Sequence, residues 1–397
     1  MSSPSAPPDS IFAPLQDPVY RRLWQSSIIA SLGGLIYGTS AAWHMTTLGV
    51  PPHMVALIQT ATMAPGLVFS LGAGILADRL DRRHILIAAQ ALMCVTALSV
   101  ALFIRAGLMT PALLLGGSFL IGSGTALREP AWQSTIGQLV PRRILPSAVA
   151  LNGISYNLAR SVGPAIGGML IAVVGAFGAF LFSAAAYLPM LAVLIWRGPP
   201  RRVRKPAAGP IDFRGILATP GLRSIMARCL LYCLLSSGVL PLLPLVIHDE
   251  LRGGSFLYGL ALGAMGVGAV SGALLIGRLR SRFDNETMIR GGFLAYGLCG
   301  LVCAHGVVGT LAGMALAGAS TVVTFTIFNS QTQLRCEPEI AGRALSLYLT
   351  TCYAGLATGS WLWGMIATRI GLLEALTVMG AALVILCGAG IRWWAVD

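Results

Sequence analysis

The sequence predicts an all-α integral membrane protein in which twelve transmembrane helices form two six-helix bundles related by pseudo-twofold symmetry. Three observations carry this. The 397-residue chain is 56% hydrophobic and only 10% charged, with mean hydropathy +0.78, whereas soluble chains carry roughly 25% charged residues. Apolar stretches recur from Trp24 to Trp394, each near the ~20 residues needed to cross about 30 Å of hydrocarbon. A single basic, Pro/Gly-rich segment interrupts them half-way.

Taken in order, the predicted spans are 23–44, 53–77, 84–105, 110–133, 144–174, 177–196, 225–248, 256–277, 287–307, 309–333, 342–368 and 373–394. None shows the alternating pattern of a barrel strand, so the backbone groups in lipid must be satisfied inside helices. Residues 1–20 read as a polar, Pro-rich cytoplasmic tail; no cleavage site follows an apolar core, so no signal peptide is expected. Residues 21–196 then form an N-terminal six-helix bundle, 197–223 a basic cytoplasmic linker, and 224–397 a C-terminal six-helix bundle. At one constant offset, Ala148, Leu151, Gly163, Gly168 and Gly175 align with Ala344, Leu347, Gly359, Gly364 and Gly371. The coincidence with the linker favours duplication.

The net charge of +13 raises the question of nucleic acid, and its distribution answers it. With the N-terminus cytoplasmic, Arg21 and Arg22, Arg79, Arg82 and Arg83, Arg142 and Arg143, the linker cations through Arg228, and the group Arg278 to Arg290 all fall on one side. Of the 27 cationic residues, Arg105, Arg252 and Arg369 fall opposite, and Arg128 and Arg160 lie within spans. This is the positive-inside pattern, with both termini in the cytoplasm. A lipid bilayer is the expected partner and nucleic acid is not. The eight cysteines include Cys229/Cys233 and Cys299/Cys303, each pair one helical turn apart. They read as helix-packing residues in preference to a metal or redox pair. No phosphate-binding loop, metal cluster or nucleophile motif is found, so no cofactor and no enzymatic activity are expected.

Two motifs carry more. At the end of the second span stands Gly74-Ile-Leu-Ala-Asp78-Arg79-Leu-Asp-Arg82-Arg83. Asp78 is unfavourably placed at the C-terminal end of its own helix and requires positive potential from elsewhere, whereas the arginines suit that end. The fifth span carries Gly163-Pro164-Ala-Ile-Gly167-Gly168, residues that bend a helix and let another approach closely.

The first motif resembles the signature loop of the major facilitator superfamily, except that Asp81 stands where that family usually has glycine. Aspartate tolerates the left-handed backbone, so a tight turn is expected there. The resemblance implies that Gly74, Asp78, Arg79, Arg82 and Arg83 form a conformational latch against the eleventh span, with Glu337 or Glu339 as partners for the arginines. The alternative is a solvated loop that only sets topology. The second motif resembles the core of the antiporter motif, with Ala159 in place of a glycine, and favours export; plain helix packing is the alternative. The run Asn157-Leu-Ala-Arg160-Ser-Val-Gly163-Pro164 resembles the efflux branch that includes the enterobactin exporter and macrolide-efflux-like proteins.

Buried charge marks a possible pathway. An arginine in mid-span costs about 2.5–3.5 kcal/mol on insertion scales, so Arg160 should face a cavity or partner, with Tyr156 and Asn157 on the same helical face. Arg128 and Glu129 lie near the cytoplasmic end of the fourth span. Glu129 is read as a proton carrier, a cation site or simply a neutralising partner. By the resemblance, spans one, four, seven and ten line a central cavity, which brings in Tyr37, Ser40, Gln133, Tyr232, Ser236, Thr324, Asn329 and Gln331. The first span lacks an acidic residue, so coupling through it is not expected. The resulting expectation is a monomeric secondary transporter exporting a siderophore, metabolite or drug across a bacterial inner membrane, with protons as coupling ion. The alternatives are uptake or uncoupled movement of a small anionic metabolite, and a non-transporting receptor of the same fold.

Overall fold

A computed structural model describes residues 12–79, 81–197, 220–303, 305–336 and 341–388. Within its helices, the side chains of 69–79, 156 and 157, with a few others, lie outside the described residues. The helices are α1 (Pro18–Thr47), α2 (Pro52–Arg79), α3 (Arg82–Arg105), α4 (Pro111–Leu139), α5 (Leu145–Arg197), α6 (Pro220–Ser236), α7 (Val239–Leu245), α8 (Ser255–Arg280), α9 (Asn285–Val302), α10 (Gly306–Leu334), α11 (Ala341–Ile370) and α12 (Leu372–Gly388). Two of these do not correspond one-to-one with spans. α5 runs through the fifth and sixth spans and is broken at Gly175, where φ is 70°. The seventh span is α6, α7 and a π-turn at Val246–Glu250. With these merged and split, the described helices match the twelve predicted spans.

Local chemistry sets the ends. Asp17 accepts the Val19 and Tyr20 amides, both at 2.8 Å, and Pro18 opens α1 without a donor to lose. Thr110 caps α4 in the same way. Hydroxyls inside the spans donate to carbonyls one turn back, as Ser118 does to Leu114 at 2.9 Å and Thr350 to Ser346 at 2.8 Å, and so need no water. Val173, Leu274 and Val308 stand exposed on the outer surface, where lipid takes the place of water.

Large buried aromatics sit in both the first half (α1–α5) and the second (α6–α12), within one continuous buried cluster. In the first, Tyr37 is 1% exposed and packs edge-on against Phe180, ring centroids 5.1 Å apart. In the second, Tyr232 is enclosed by Phe293, Tyr296, Phe325 and Phe328 and hydrogen-bonds Ser320 at 2.9 Å. The proposed duplication has a geometric counterpart. Gly175 and the aligned Gly371 both have positive φ, 70° and 106°, and each turns the chain from one span to the next where a Cβ would strain the backbone.

Two expectations need correction. Asp81 does not use the left-handed backbone: its φ is −64° and ψ 121°. Its carboxylate accepts the Arg83 amide at 3.0 Å, so it serves as the N-cap of α3, with a side-chain acceptor that glycine lacks. Arg228 is not a loop cation. It is 4% exposed inside α6 and paired to Glu286 at 2.6 Å, because a buried guanidinium must be neutralised where lipid or core surrounds it. The linker 198–219 and the tail before residue 12 lie outside the described residues.

Candidate functional site

The halves meet along two helix pairs. α2 of the first half packs on α11 of the second, and α5 packs on α8. Hydrogen bonds between α2 and α11 run from the His53 amide to Thr368 Oγ1 (3.2 Å), from Ser360 Oγ to the Ala56 carbonyl (2.9 Å), and from Thr60 Oγ1 to the Ala357 carbonyl (2.9 Å). Gly66 takes the ring of Tyr353, which a Cβ would meet at 3.2 Å. Between α5 and α8 the approach is tighter. A Cβ on Gly168 would stand 2.3 Å from the Gly259 Cα, and one on Gly259 would stand 2.8 Å from the Gly168 Cα. Trp43 of α1 stacks on Tyr258 of α8, centroids 5.5 Å apart, with His248 edge-on at 6.0 Å. These contacts gather at the arginine-poor end of the molecule, next to Arg252 and Arg369, away from the end that carries the basic loops.

The fifth-span motif divides its work across this seam. Gly163 faces Leu35 and Gly167 faces Ile36 and Thr39, both on α1 inside the first half. Gly168 alone of the three faces the second half. Pro164 lies between them, half-buried. About two turns before Gly168, ~12 Å along the axis, Arg160 is exposed rather than packed. Its guanidinium lies within electrostatic reach of Tyr296, in the core of the second half. Arg160 therefore lies on α5 to the basic-end side of the Gly168–Gly259 crossing. The side chains of its helical neighbours Tyr156 and Asn157 lie outside the described residues.

Arg128 and Glu129 form an ion pair at 2.5 Å on α4, immediately before the internal Pro130. Arg128 is 6% exposed and also reaches Ser31 Oγ at 3.5 Å. The Glu129 side chain is 30% exposed, so one partner is in the core and the other at its edge. Gln133, one turn further, is exposed. Asn329 accepts from Gln333 at 2.5 Å and Gln331 from Arg335 at 3.3 Å, so both bind side chains of their own helix at the basic end of α10. Tyr37 and Ser40 are buried within the first half, and Tyr232 and Thr324 within the second.

At the basic end, Gly74, Asp78 and Arg79 fall on the last turns of α2, with side chains outside the described residues, as are Glu337 and Glu339. Arg82 opens α3, half-buried. Arg83 donates from Nε to the Leu194 carbonyl (2.9 Å) and from Nη2 to the Ile195 carbonyl (2.7 Å). It thus caps the end of α5 within its own half, where the helix dipole is negative.

Sequence reasoning missed the cluster Arg228–Glu286–Arg290. Glu286 lies 2.6 Å from Arg228 and 2.8 Å from Arg290. The i,i+4 spacing of Glu286 and Arg290 was readable; the contribution of Arg228 from another helix was not.

A family model described as transmembrane secretion effector, of the major facilitator type, matches residues 9–394. The chain belongs to that family. Among curated relatives, the enterobactin exporter EntS of Shigella flexneri is 26% identical, with 93% of this chain and 90% of that protein covered. The staphyloferrin A transporter of Staphylococcus aureus is 22% identical, with 90% and 91% covered. Among solved structures, a bacterial homologue of the iron transporter ferroportin aligns with TM-score 0.73 at 15% identity, covering 95% of this chain and 98% of that one. A bacterial homologue of the human lysosomal transporter Spinster gives TM-score 0.73 at 14% identity, covering 95% and 96%. These structures share the fold. The chain is accordingly a multi-pass membrane transporter of the major facilitator superfamily.

Proposed function

We propose that this transporter exports a small molecule, of siderophore type, across a bacterial inner membrane by alternating access. The observation that carries the reading is the match over nearly the whole chain to a secretion family whose relatives include exporters of such molecules. The seam supports it: two halves packed at the arginine-poor end, with the exposed charge of Arg160 beyond the last tight contact. With that end outward, as the positive-inside pattern has it, the conformation is open to the cytoplasm. Residues 21–196 and 224–397 would then move as two bodies about the linker 197–223, as a monomer.

Each set of residues has a task in this scheme. Substrate enters from the cytoplasm and meets Arg160, whose guanidinium pairs with carboxylate or catecholate oxygen. The halves then rock, the Gly168–Gly259 contact opens, and the basic ends close. In that state Asp78 faces the start of α11 and Arg79 and Arg82 find carboxylates, so the loop latches the outward-facing form. Glu129, at the core edge beside Arg128, is the group placed to take a proton when the cavity faces outward and release it inward.

The test is small-molecule profiling of cells and medium from a deletion strain complemented with wild type or Asp78→Asn. A compound retained inside, missing outside and restored only by wild type supports export and the latch. Identical profiles in all strains reject export of an endogenous compound, and full restoration by Asp78→Asn rejects the latch.

A further inference from the structure

Three cysteines that no transport step uses come together inside the second half. Cys229 and Cys233 stand one turn apart on α6, and Cys352 faces them from α11. Their sulfur atoms all lie within 4.8 Å of one another, with Cys229 and Cys352 at 3.2 Å. All three are buried, Cys352 the least so at 7% exposure. Gly355, one turn past Cys352, lets the backbones close: a Cβ there would stand 2.6 Å from the Cys233 Cβ. Tyr348, one turn before Cys352, donates from its hydroxyl to the Phe325 carbonyl at 3.4 Å and ties α11 to α10 beside the cluster. Met226, one turn before Cys229, adds a buried thioether beside Thr351 at 3.8 Å.

Three thiolates around one metal at about 2.3 Å place their sulfurs roughly 4 Å apart, within the spread found here. The donors are soft, and no histidine or carboxylate belongs to the group among the described residues. Soft sulfur ligands select monovalent copper over hard cations, and zinc in structural sites takes four ligands where this site offers three thiols. We infer that Cys229, Cys233 and Cys352 form a three-sulfur site for a monovalent d10 cation of the Cu(I) class, clamping α6 to α11. Binding forms metal–sulfur bonds and releases the displaced thiol protons to solvent; the oxidation state of the metal does not change.

The site is tested on the full-length protein in detergent, titrated anaerobically with Cu(I) against a chromophoric Cu(I) chelator. Wild type should withdraw one equivalent from the chelator, with X-ray absorption showing sulfur-only ligation. The triple variant C229S/C233S/C352S should lose that equivalent, whereas C94S/C299S/C303S/C336S/C387S should keep it. Equal uptake by both variants, or none by wild type, overturns the proposal, as does oxygen or nitrogen ligation. Should the triple variant fail to fold, C352S alone serves: it should retain the fold and weaken uptake at least tenfold. Unchanged uptake by C352S would equally overturn the site.

Discussion

The fifth and eleventh spans occupy equivalent places in the two halves, and they agree in backbone while differing in chemistry. Gly163 packs on α1 of its own half, and Gly359 on Leu234 of α6 and on Ser237 just past it in its own. Gly168 crosses to α8, and Gly364 crosses to His53 and Ala56 of α2. Gly175 and Gly371 both turn the chain with positive φ. At the third span of each half an aspartate caps: Asp81 on α3 and Asp284 on α9. The side chains between these points have parted. Arg160 aligns with Leu356, Pro164 with Ser360, and Tyr156 with Cys352. The first half keeps charge at the seam, whereas the second keeps thiols and aromatics in its core. The shared features are those that a rocking pair of bundles needs twice; the differing ones are those a substrate needs once.

The largest effect is expected at the crossing glycines. In Gly168→Leu the side chain meets backbone, and an overpacking cost of about 3 kcal/mol shifts the balance of the two states roughly 100-fold away from closure of this end. Transport assays should show near-complete loss. Gly364→Leu meets the Ala56 methyl at 2.6 Å and the His53 Cα at 2.9 Å, a looser approach than at Gly168, and should lose less. Equal losses would break the contrast.

Next come the ion pairs. Glu286→Gln strips the carboxylate from two arginines, Arg228 being buried, and should cost about 3 kcal/mol, read as a lower Tm with transport intact in the folded fraction. Glu129→Gln should lower Tm less, its side chain being 30% exposed, but should alter the pH dependence of transport. Were the Tm changes reversed, the first half would be the one held by charge.

For Arg160→Ala, loss of a charge-assisted bond of about 1.5–3 kcal/mol predicts roughly 10- to 100-fold weaker substrate binding with insertion unchanged. Leu356→Ala should leave binding unaltered. The smallest effect belongs to the caps. Asp81→Ala should cost about 1 kcal/mol and Asp81→Gly only a few tenths, measured by chemical denaturation. The Asp284 carboxyl is held below its ordinary value of 3.8, first by the hydrogen bond from the Thr287 side chain. Its depressed pKa makes its contribution present near neutral pH and lost as pH falls through that lowered value.

Much of this was readable in the chain. Span number, the glycine repeat and the positive-inside pattern follow from periodicity and composition, which act locally. Arg128–Glu129 was readable because the partners are adjacent. Arg228–Glu286 and Cys352 beside Cys229 were not, since they join helices far apart in sequence. The fate of Asp81 shows the same limit from the other side: its residue type allowed two backbone answers, and the nearby Arg83 amide selected the capped one.

The central claim is that the two ends of the seam open alternately. Pulsed electron spin resonance distances would test it most directly, with one label pair at 108 and 252 at the arginine-poor end and another at 143 and 282 at the basic end. The account predicts opposite changes: one pair lengthens as the other shortens when Asp78 is intact and substrate or a pH step is applied. Distances fixed at both ends under all conditions would contradict it and leave a static membrane protein that had kept the fold.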